Sequence, residues 1–150
     1  MRRSVLLVVV LALVLAIPPT VEAQRPAVVV VLPSALRGAT FTASDDQQNV
    51  YGIGVVLHLT ITAVAGTTPT LDIKVQMKNP VSGAYVDLPS ASFAQKSAAG
   101  SDTLTIYPGL VETANRKVSN VIPDTWRLAV TIAGTATPTF TFSVAATYLP

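Results

Sequence analysis

A single histidine limits the catalytic chemistry open to this chain. His58 is the only histidine among 150 residues, so a Ser-His-Asp arrangement or a histidine-based metal site would have to include it. It lies within an alternating segment, on the side opposite the apolar residues, and no second ligand stands at HxH or ExxH spacing. We therefore expect an exposed or interface histidine instead of a catalytic one.

Acidic side chains are the next candidates, because paired carboxylates hydrolyse glycosides when one of them is buried in a cleft. Beyond residue 23 the acids are Asp45, Asp46, Asp72, Asp87, Asp102, Glu112 and Asp124. The alternation turns Asp72 outward and leaves the others in loops or at strand ends. The run 45–49 (DDQQN) lacks the D-x-[DN]-x-[DN]-G order of a calcium loop. We expect no catalytic, cofactor-binding or metal-binding residue and no enzyme activity.

Aromatic side chains are what most sugar-binding surfaces use, because their faces stack on the apolar sides of sugars. Trp126 falls on an apolar stripe and is predicted to lie in the core. The remaining candidates are Tyr51, Tyr85, Tyr107 and Tyr148, which stand at strand ends. A glycine-rich phosphate loop and a Gly-x-Ser-x-Gly elbow are both missing from the sequence. Glycan recognition is therefore the alternative hypothesis and not the leading one.

The elements that would position these residues follow a period of two, with no helical stripe. Residues 71–78 (LDIKVQMK) alternate apolar and polar types without a break, and 71–88 form a predicted hairpin. Further candidate strands are 27–32, 39–43, 55–62, 84–88, 102–107, 126–132 and 140–146. This pattern predicts an all-β antiparallel sandwich of about seven to eight strands, either jelly-roll or immunoglobulin-like. Residues 91–101 (ASFAQKSAAGS) are predicted to be a flexible loop.

The N-terminus has the pattern of a secretory signal peptide. Two arginines precede the apolar run 5–17, and Val21-Glu22-Ala23 places small residues before a cleavage site. The run is shorter than the roughly 20 residues that span a bilayer. We therefore predict a signal peptide at 1–23, a single domain at 24–150 and no stable membrane span after cleavage; an uncleaved anchor and a misassigned start are the alternatives.

Charge and cysteine content narrow the choice of partners. Without Arg2, Arg3 and Glu22, eight of ten basic and seven of eight acidic side chains remain, and the basic ones are scattered. Because a phosphate-tracking groove needs clustered cations, we expect no nucleic-acid binding. The chain has no cysteine, so stability must come from the core or from assembly. Low-charge outward faces, rich in threonine, serine, valine and alanine, favour assembly.

Four stretches, in this order, carry a resemblance to a known group of proteins. They are Gly54-Val55-Val56-Leu57, 78–85 (KNPVSGAY), 107–110 (YPGL) and 121–127 (VIPDTWR). Together they resemble small β-sandwich proteins encoded among the structural genes of tailed bacteriophages, over residues 29–149. The resemblance implies a decoration- or tail-associated virion component with no catalytic residues to transfer. A signal peptide departs from that pattern, because virion proteins assemble in the cytoplasm.

These observations together predict a non-enzymatic exported structural or interaction protein, a subunit of a surface or virion-like assembly. Its expected partners are other proteins or further copies of itself. Its expected location is secreted or extracytoplasmic, or the virion if Met1 is not the true start. The alternative is a secreted monomeric module that binds a glycan or a cell-surface ligand.

Overall fold

The computed structural model describes residues 28–50 and 52–150, so the predicted signal peptide and Tyr51 lie outside the described residues. The regular structure is β1 (Val28–Gly38), β2 (Gln47–Gln48), β3 (Gly54–Lys78), β4 (Tyr85–Ser92), β5 (Gly100–Ile106), β6 (Lys117–Val118) and β7 (Thr125–Leu149). These strands form one sheet, antiparallel except where β5 meets β6. The prediction of an all-β, largely antiparallel fold is confirmed. Within the described residues, no helix is long and apolar enough to cross a membrane.

Two strands of 25 residues each, β3 and β7, organise the sheet. They pair antiparallel from Gly54 opposite Leu149 to Met77 opposite Trp126, with register shifts around residues 61–70. The sequence predicted four shorter strands here, with a turn at 65–69, and that prediction is wrong. The chain bends without leaving the pairing.

Glycines explain why the bend does not end the strands. Gly66 has φ 105° and Gly134 has φ 136°, a region that side chains with a Cβ rarely adopt. A Cβ on Gly66 would stand 2.8 Å from Pro138 Cα, and one on Gly134 would stand 2.8 Å from the Thr68 carbonyl oxygen. Without those Cβ atoms, the two backbones stay close while both turn the same corner.

The corner divides the sheet into two halves. The first half contains β1, β5 and β6 with residues 139–149 of β7 and 54–65 of β3. The second half contains β2 and β4 with residues 125–133 of β7 and 70–78 of β3. Each half therefore has its own outward face.

Both halves bury their apolar side in one hydrophobic cluster. Trp126 lies near the start of β7 in the second half and Tyr148 near its end in the first half, and both are almost fully buried. Trp126 Nε1 lies 3.2 Å from Tyr148 Oη, to which it donates, and the rings meet edge to face with centroids 6.4 Å apart. The predicted core position of Trp126 is confirmed, and this contact joins the two halves.

Two connecting segments differ from expectation. Residues 91–101 are not a free loop: Ala91 and Phe93 are buried, and Lys96 exchanges two backbone hydrogen bonds with Leu71. One phenylalanine within an alanine- and serine-rich run anchors the segment. The predicted strand 39–43 is also wrong, because the chain turns at 39–40 and makes only an isolated bridge at Ala43. The predicted hairpin of β3 with β4 is confirmed.

Arg37 is a charged side chain buried within β1. Its guanidinium lies between two aromatic rings, 4.9 Å from the centroid of Phe41 and 4.6 Å from that of Phe142. It donates to the carbonyl oxygens of Phe142 at 2.6 Å and Pro33 at 2.7 Å. Burial lowers the pKa of Arg37. The side chain holds β1 in place where that strand departs from regular register.

Candidate interaction surface

The candidates for catalysis are not brought together. His58 is exposed on the outward side of the first half, with Thr147 Oγ1 3.4 Å from its Nε2. In the part of the chain that is described, no three His, Cys, Asp or Glu side chains are grouped so that they could hold a metal ion. The position predicted for His58, facing away from the apolar stripe, is confirmed.

Five of the seven acidic side chains beyond residue 23 bind a partner of their own. Asp46, Asp87 and Asp102 pair with Lys78, Lys74 and Lys96 in turn, Asp72 accepts from Gln95, and Glu112 accepts from the Ser119 amide. Asp45 and Asp124 are exposed in loops. Each described carboxylate therefore contacts a lysine, an amide group or solvent.

A polar network covers the outward side of the second half. Tyr85 lies between two cations: Arg127 Cζ is 3.4 Å and Lys78 Nζ 5.6 Å from its ring centroid. Its hydroxyl donates to Asp46, which also accepts from Lys78 Nζ at 2.8 Å. The hydrogen bond from Lys78, followed by that from Tyr85, holds the pKa of Asp46 below its ordinary value. The polar atoms of Asp46, Lys78 and Tyr85 therefore find hydrogen-bonding partners within this network.

The network continues along β3 and β4. Gln76 accepts from Arg127 Nε at 3.0 Å and donates to Asp87 at 2.7 Å. Asp87 also binds Lys74, and that hydrogen bond is the main cause of its lowered pKa. We call this surface the charged face; it consists of Asp46, Asp72, Lys74, Gln76, Lys78, Tyr85, Asp87 and Arg127.

The tyrosines do not form the exposed platform that sugar stacking would need. Tyr148 is buried, Tyr85 is half-buried with Arg127 and Lys78 over its ring, and Tyr107 is half-buried. Tyr107 packs beside Gly54, where an added Cβ would meet its ring at 2.4 Å. The three described tyrosines therefore lie in three different surroundings.

Exposed apolar side chains gather instead on the loops at one end of the molecule. Since β3 begins and ends away from the corner, the connections 49–53, 79–84, 107–116 and 119–124 all lie at that end. We call these connections, apart from Tyr51, the loop end. Its exposed apolar residues are Val50, Ile53, Val81, Val111 and Val121. The other large exposed apolar residues of the described chain lie on β1 and β4.

Hydrogen bonds hold two of these loops together. Asn49 Nδ2 donates to the carbonyl oxygens of Gly52 at 2.7 Å and Ile122 at 3.1 Å, and the Asn49 amide donates to Asp124 O at 2.7 Å. The Ile122 amide donates to Ile53 O at 3.0 Å. Val50, Ile53 and Val121 are therefore presented from one bonded unit.

Other parts of the loop end are fixed in a similar way. The Gly109 amide donates to Ser119 Oγ at 3.0 Å, and the Ser119 amide donates to Glu112 at 3.2 Å. Between the hairpin turn and the last loop lies a hollow of about 250 Å³, lined in part by Met77, Pro80 and Pro123. A rigid apolar surface loses little conformational entropy when a partner binds.

A polar cleft of about 510 Å³ lies on the second half, where β4 leaves β3. Its lining includes Asp72, Lys74, Gln95 and Asn115. Asp72 accepts two contacts from Gln95 Nε2, at 2.9 and 3.2 Å, and Asn115 donates to the Ser92 hydroxyl at 3.2 Å. The cleft therefore has hydrogen-bonding groups but no exposed aromatic face.

Sequence reasoning missed the loop end, although one signal was present. Each of its valines lies beside a polar residue or a proline and outside the predicted strands, where an apolar side chain has no core to enter. Neither a family model, nor a curated protein, nor a solved structure matches this chain. The surface must therefore be interpreted from its own chemistry.

Proposed function

We propose that this chain is a non-enzymatic exported structural or interaction protein, a subunit of a surface or virion-like assembly, that binds a protein partner through the loop end. One observation carries the proposal: five exposed aliphatic side chains lie on hydrogen-bonded loops at a single end. Exposed apolar patches of this kind mark protein interaction sites. Aliphatic side chains without aromatic platforms suit a protein surface better than a sugar.

The fold proposed with this function is a β-sandwich of jelly-roll order. Counting the two halves of β3 and β7 as separate strands, the first half is ordered β1, β7, β3, β5 and the second β2, β7, β3, β4. That interleaved order supports a jelly roll over an immunoglobulin-like fold, and the shared core supports face-to-face packing of the halves. Jelly rolls occur in viral capsids and in lectins, so fold alone does not choose the partner.

The proposed location is secreted or extracytoplasmic, or the virion if Met1 is not the true start. The predicted signal peptide at 1–23 supports export, and the resemblance to phage structural proteins supports the virion. Scattered, paired lysines support a protein partner and not a nucleic acid, since Lys74, Lys78 and Lys96 each bind a carboxylate.

Density-gradient fractionation of the source culture tests the proposal, with the protein followed by intact mass. An assembly subunit sediments with particles, and Val121→Asp in the loop end releases it. Val86→Asp is the matched control, because the two valines are 52% and 48% exposed and Val86 lies on β4. A protein that stays soluble with a mass beginning at Gln24, unaffected by either substitution, contradicts the assembly proposal.

The alternative is a secreted monomeric module for a glycan or cell-surface ligand, and the polar cleft is the observation that favours it. Amide and carboxylate groups such as those of Asp72, Gln95 and Asn115 are able to bind sugar hydroxyls. Saturation-transfer NMR with methyl glycosides of common hexoses would detect such binding. Transfer that Asn115→Ala abolishes would favour the alternative, and no transfer at millimolar sugar would contradict it.

A further inference from the structure

The outward side of the first half differs from the charged face in its composition. Its members alternate with buried residues on β1, β3, β5 and β7. They are Val28, Val30, Leu36, Val56, His58, Thr60, Thr62, Ser101, Thr103, Thr105, Thr139, Thr141, Ser143, Ala145 and Thr147. We call this surface the neutral face. No Asp, Glu, Lys or Arg belongs to it, and Lys117 lies only at its margin on β6.

The neutral face is ordered as rows across the strands. One row runs from Val30 through Ala145 and His58 to Thr103. The neighbouring row runs from Val28 through Thr147 and Val56 to Thr105. Short side chains in rows give a shallow surface, on which another sheet is able to pack at about 10 Å.

We propose that the neutral face packs against the neutral face of a second copy of this chain. A surface without charge has nothing to attract a charged partner, whereas it presents to a copy of itself the same methyl and hydroxyl groups. A two-fold contact between identical patches is the commonest arrangement in oligomers. The exposed valines on β1 add apolar area at one side of the patch.

The size of the face sets the strength of this contact. The face spans four strands spaced by about 4.8 Å, and each strand runs for about six residues at about 3.3 Å per residue. These dimensions give roughly 400 Å² per copy. Two copies would bury roughly 800 Å², which is below the usual range for stable complexes. The dimer should therefore be weak and depend on protein concentration, and several such contacts would be needed to hold an assembly together.

His58 gives the contact a direct measurement. Because it is the only histidine, its ring protons give a single set of resonances. It lies within the row that runs from Val30 to Thr103. We would produce the protein from the full sequence, so that its own processing is kept, and record these resonances and the sedimentation profile over micromolar to millimolar concentration. Association should shift the His58 resonances along the same concentration curve as the sedimenting mass.

Substitutions test where the contact lies. Thr60→Lys puts two like charges into a two-fold interface and should weaken dimerisation about tenfold or more. Thr131→Lys is the matched control, since Thr131 is exposed on the second half opposite Asp72. Circular dichroism of each variant checks that the fold is kept.

Three outcomes would overturn the proposal. A protein that is monomeric at every concentration has no such contact, and a Thr60→Lys variant that dimerises as the parent does places any contact elsewhere. Dimerisation lost in Val121→Asp but kept in Thr60→Lys would assign self-association to the loop end. Particle binding lost only in Val121→Asp would bear on the proposed function and leave the neutral face unaffected, so the two proposals fail separately.

Discussion

The charged face and the neutral face lie on the outward sides of one bent sheet, and they differ in the charged residues that they carry. On the charged face, Asp46 and Asp87 each bind a lysine, and Arg127 stacks on Tyr85. The neutral face has no Asp, Glu, Lys or Arg, and its one histidine is His58. A surface of paired charges stays hydrated, whereas an uncharged β surface is able to pack against a neighbouring molecule.

The inward sides of the two halves, by contrast, are alike. Both supply alternating aliphatic and aromatic residues to the same cluster, as Val75 and Leu128 do in one half and Leu57 and Phe142 in the other. The difference between the faces therefore does not arise from how each half folds. It lies in the outward side chains alone, which carry paired charges in the second half and no Asp, Glu, Lys or Arg in the first.

The largest expected effect comes from breaking the core that the halves share. Trp126→Ala should lower the free energy of unfolding by about 3–5 kcal/mol, because it removes a fully buried aromatic side chain together with the hydrogen bond that the indole donates to Tyr148. Urea unfolding followed by circular dichroism measures it. Unfolding should remain a single transition; two separate transitions would mean that the halves have separate cores. Val86→Ala, on an exposed site, is the control.

A smaller loss is expected where the loop end meets the first half. A Cβ on Gly52 would stand 1.9 Å from the Leu149 carbonyl oxygen, so Gly52→Ala must push two backbones apart, at about 1–3 kcal/mol. Thermal unfolding measures this loss. Gly38→Ala is the control, since the nearest atom to its Cβ is 3.7 Å away. Equal melting temperatures for the two variants would mean that this close contact does not hold the loop end.

The comparison of the faces also shows how far the sequence alone could be interpreted. Period-two alternation predicted which side of 71–78 is buried and that Trp126 is core, because the pleat decides sidedness locally. It could not show that β3 and β7 continue through their glycines and prolines, because Gly66 and Gly134 signal a turn in sequence and act here as places of close approach. Strand pairing is a long-range property that local pattern does not contain.

The candidate surface was harder to predict than the fold. His58 and the low-charge outward sides were recognised from sequence, yet the two faces could not be told apart until the strands were assigned to halves. The loop end could not be predicted either, because Val50, Val81, Val111 and Val121 are far apart along the chain and only the strand pairing brings their loops to one end. The bonds of Asn49 that bring two of these loops together have no sequence signature beyond an asparagine in a turn.

The first half carries one buried cation, and replacing it tests whether geometry or charge matters there. Arg37→Lys keeps the charge but loses the planar stacking between Phe41 and Phe142, and should cost about 1–2 kcal/mol. Urea unfolding measures the loss. Arg127→Lys is the matched control, because its guanidinium also stacks on a ring but is only half-buried. An equal effect at both positions would mean that burial adds nothing to the stacking.

The smallest effect is expected from acid, and it should distinguish the two faces. Lowered pKa values of Asp46 and Asp87 in the folded protein mean that their contribution to stability is present above the pKa of an unfolded aspartate, about 3.9. It is lost as pH falls through the lower folded values. Since both ion pairs are accessible to water, screening should keep the contribution of each of them small.

Melting temperatures measured between pH 6 and pH 2 test this assignment. Asp46→Asn and Asp87→Asn should each make the melting temperature fall less steeply below about pH 4, because the amide cannot be protonated in that range. Thr103→Asn, on the neutral face, should leave the steepness unchanged because no carboxylate is removed. If the aspartate variants kept the full acid dependence, the next carboxylate to replace would be Asp102, whose pKa is raised by burial but brought below its ordinary value by Lys96 and the Thr103 amide. The acid dependence of stability would then arise in the first half. The ion pairs of the charged face would serve solubility more than folding stability.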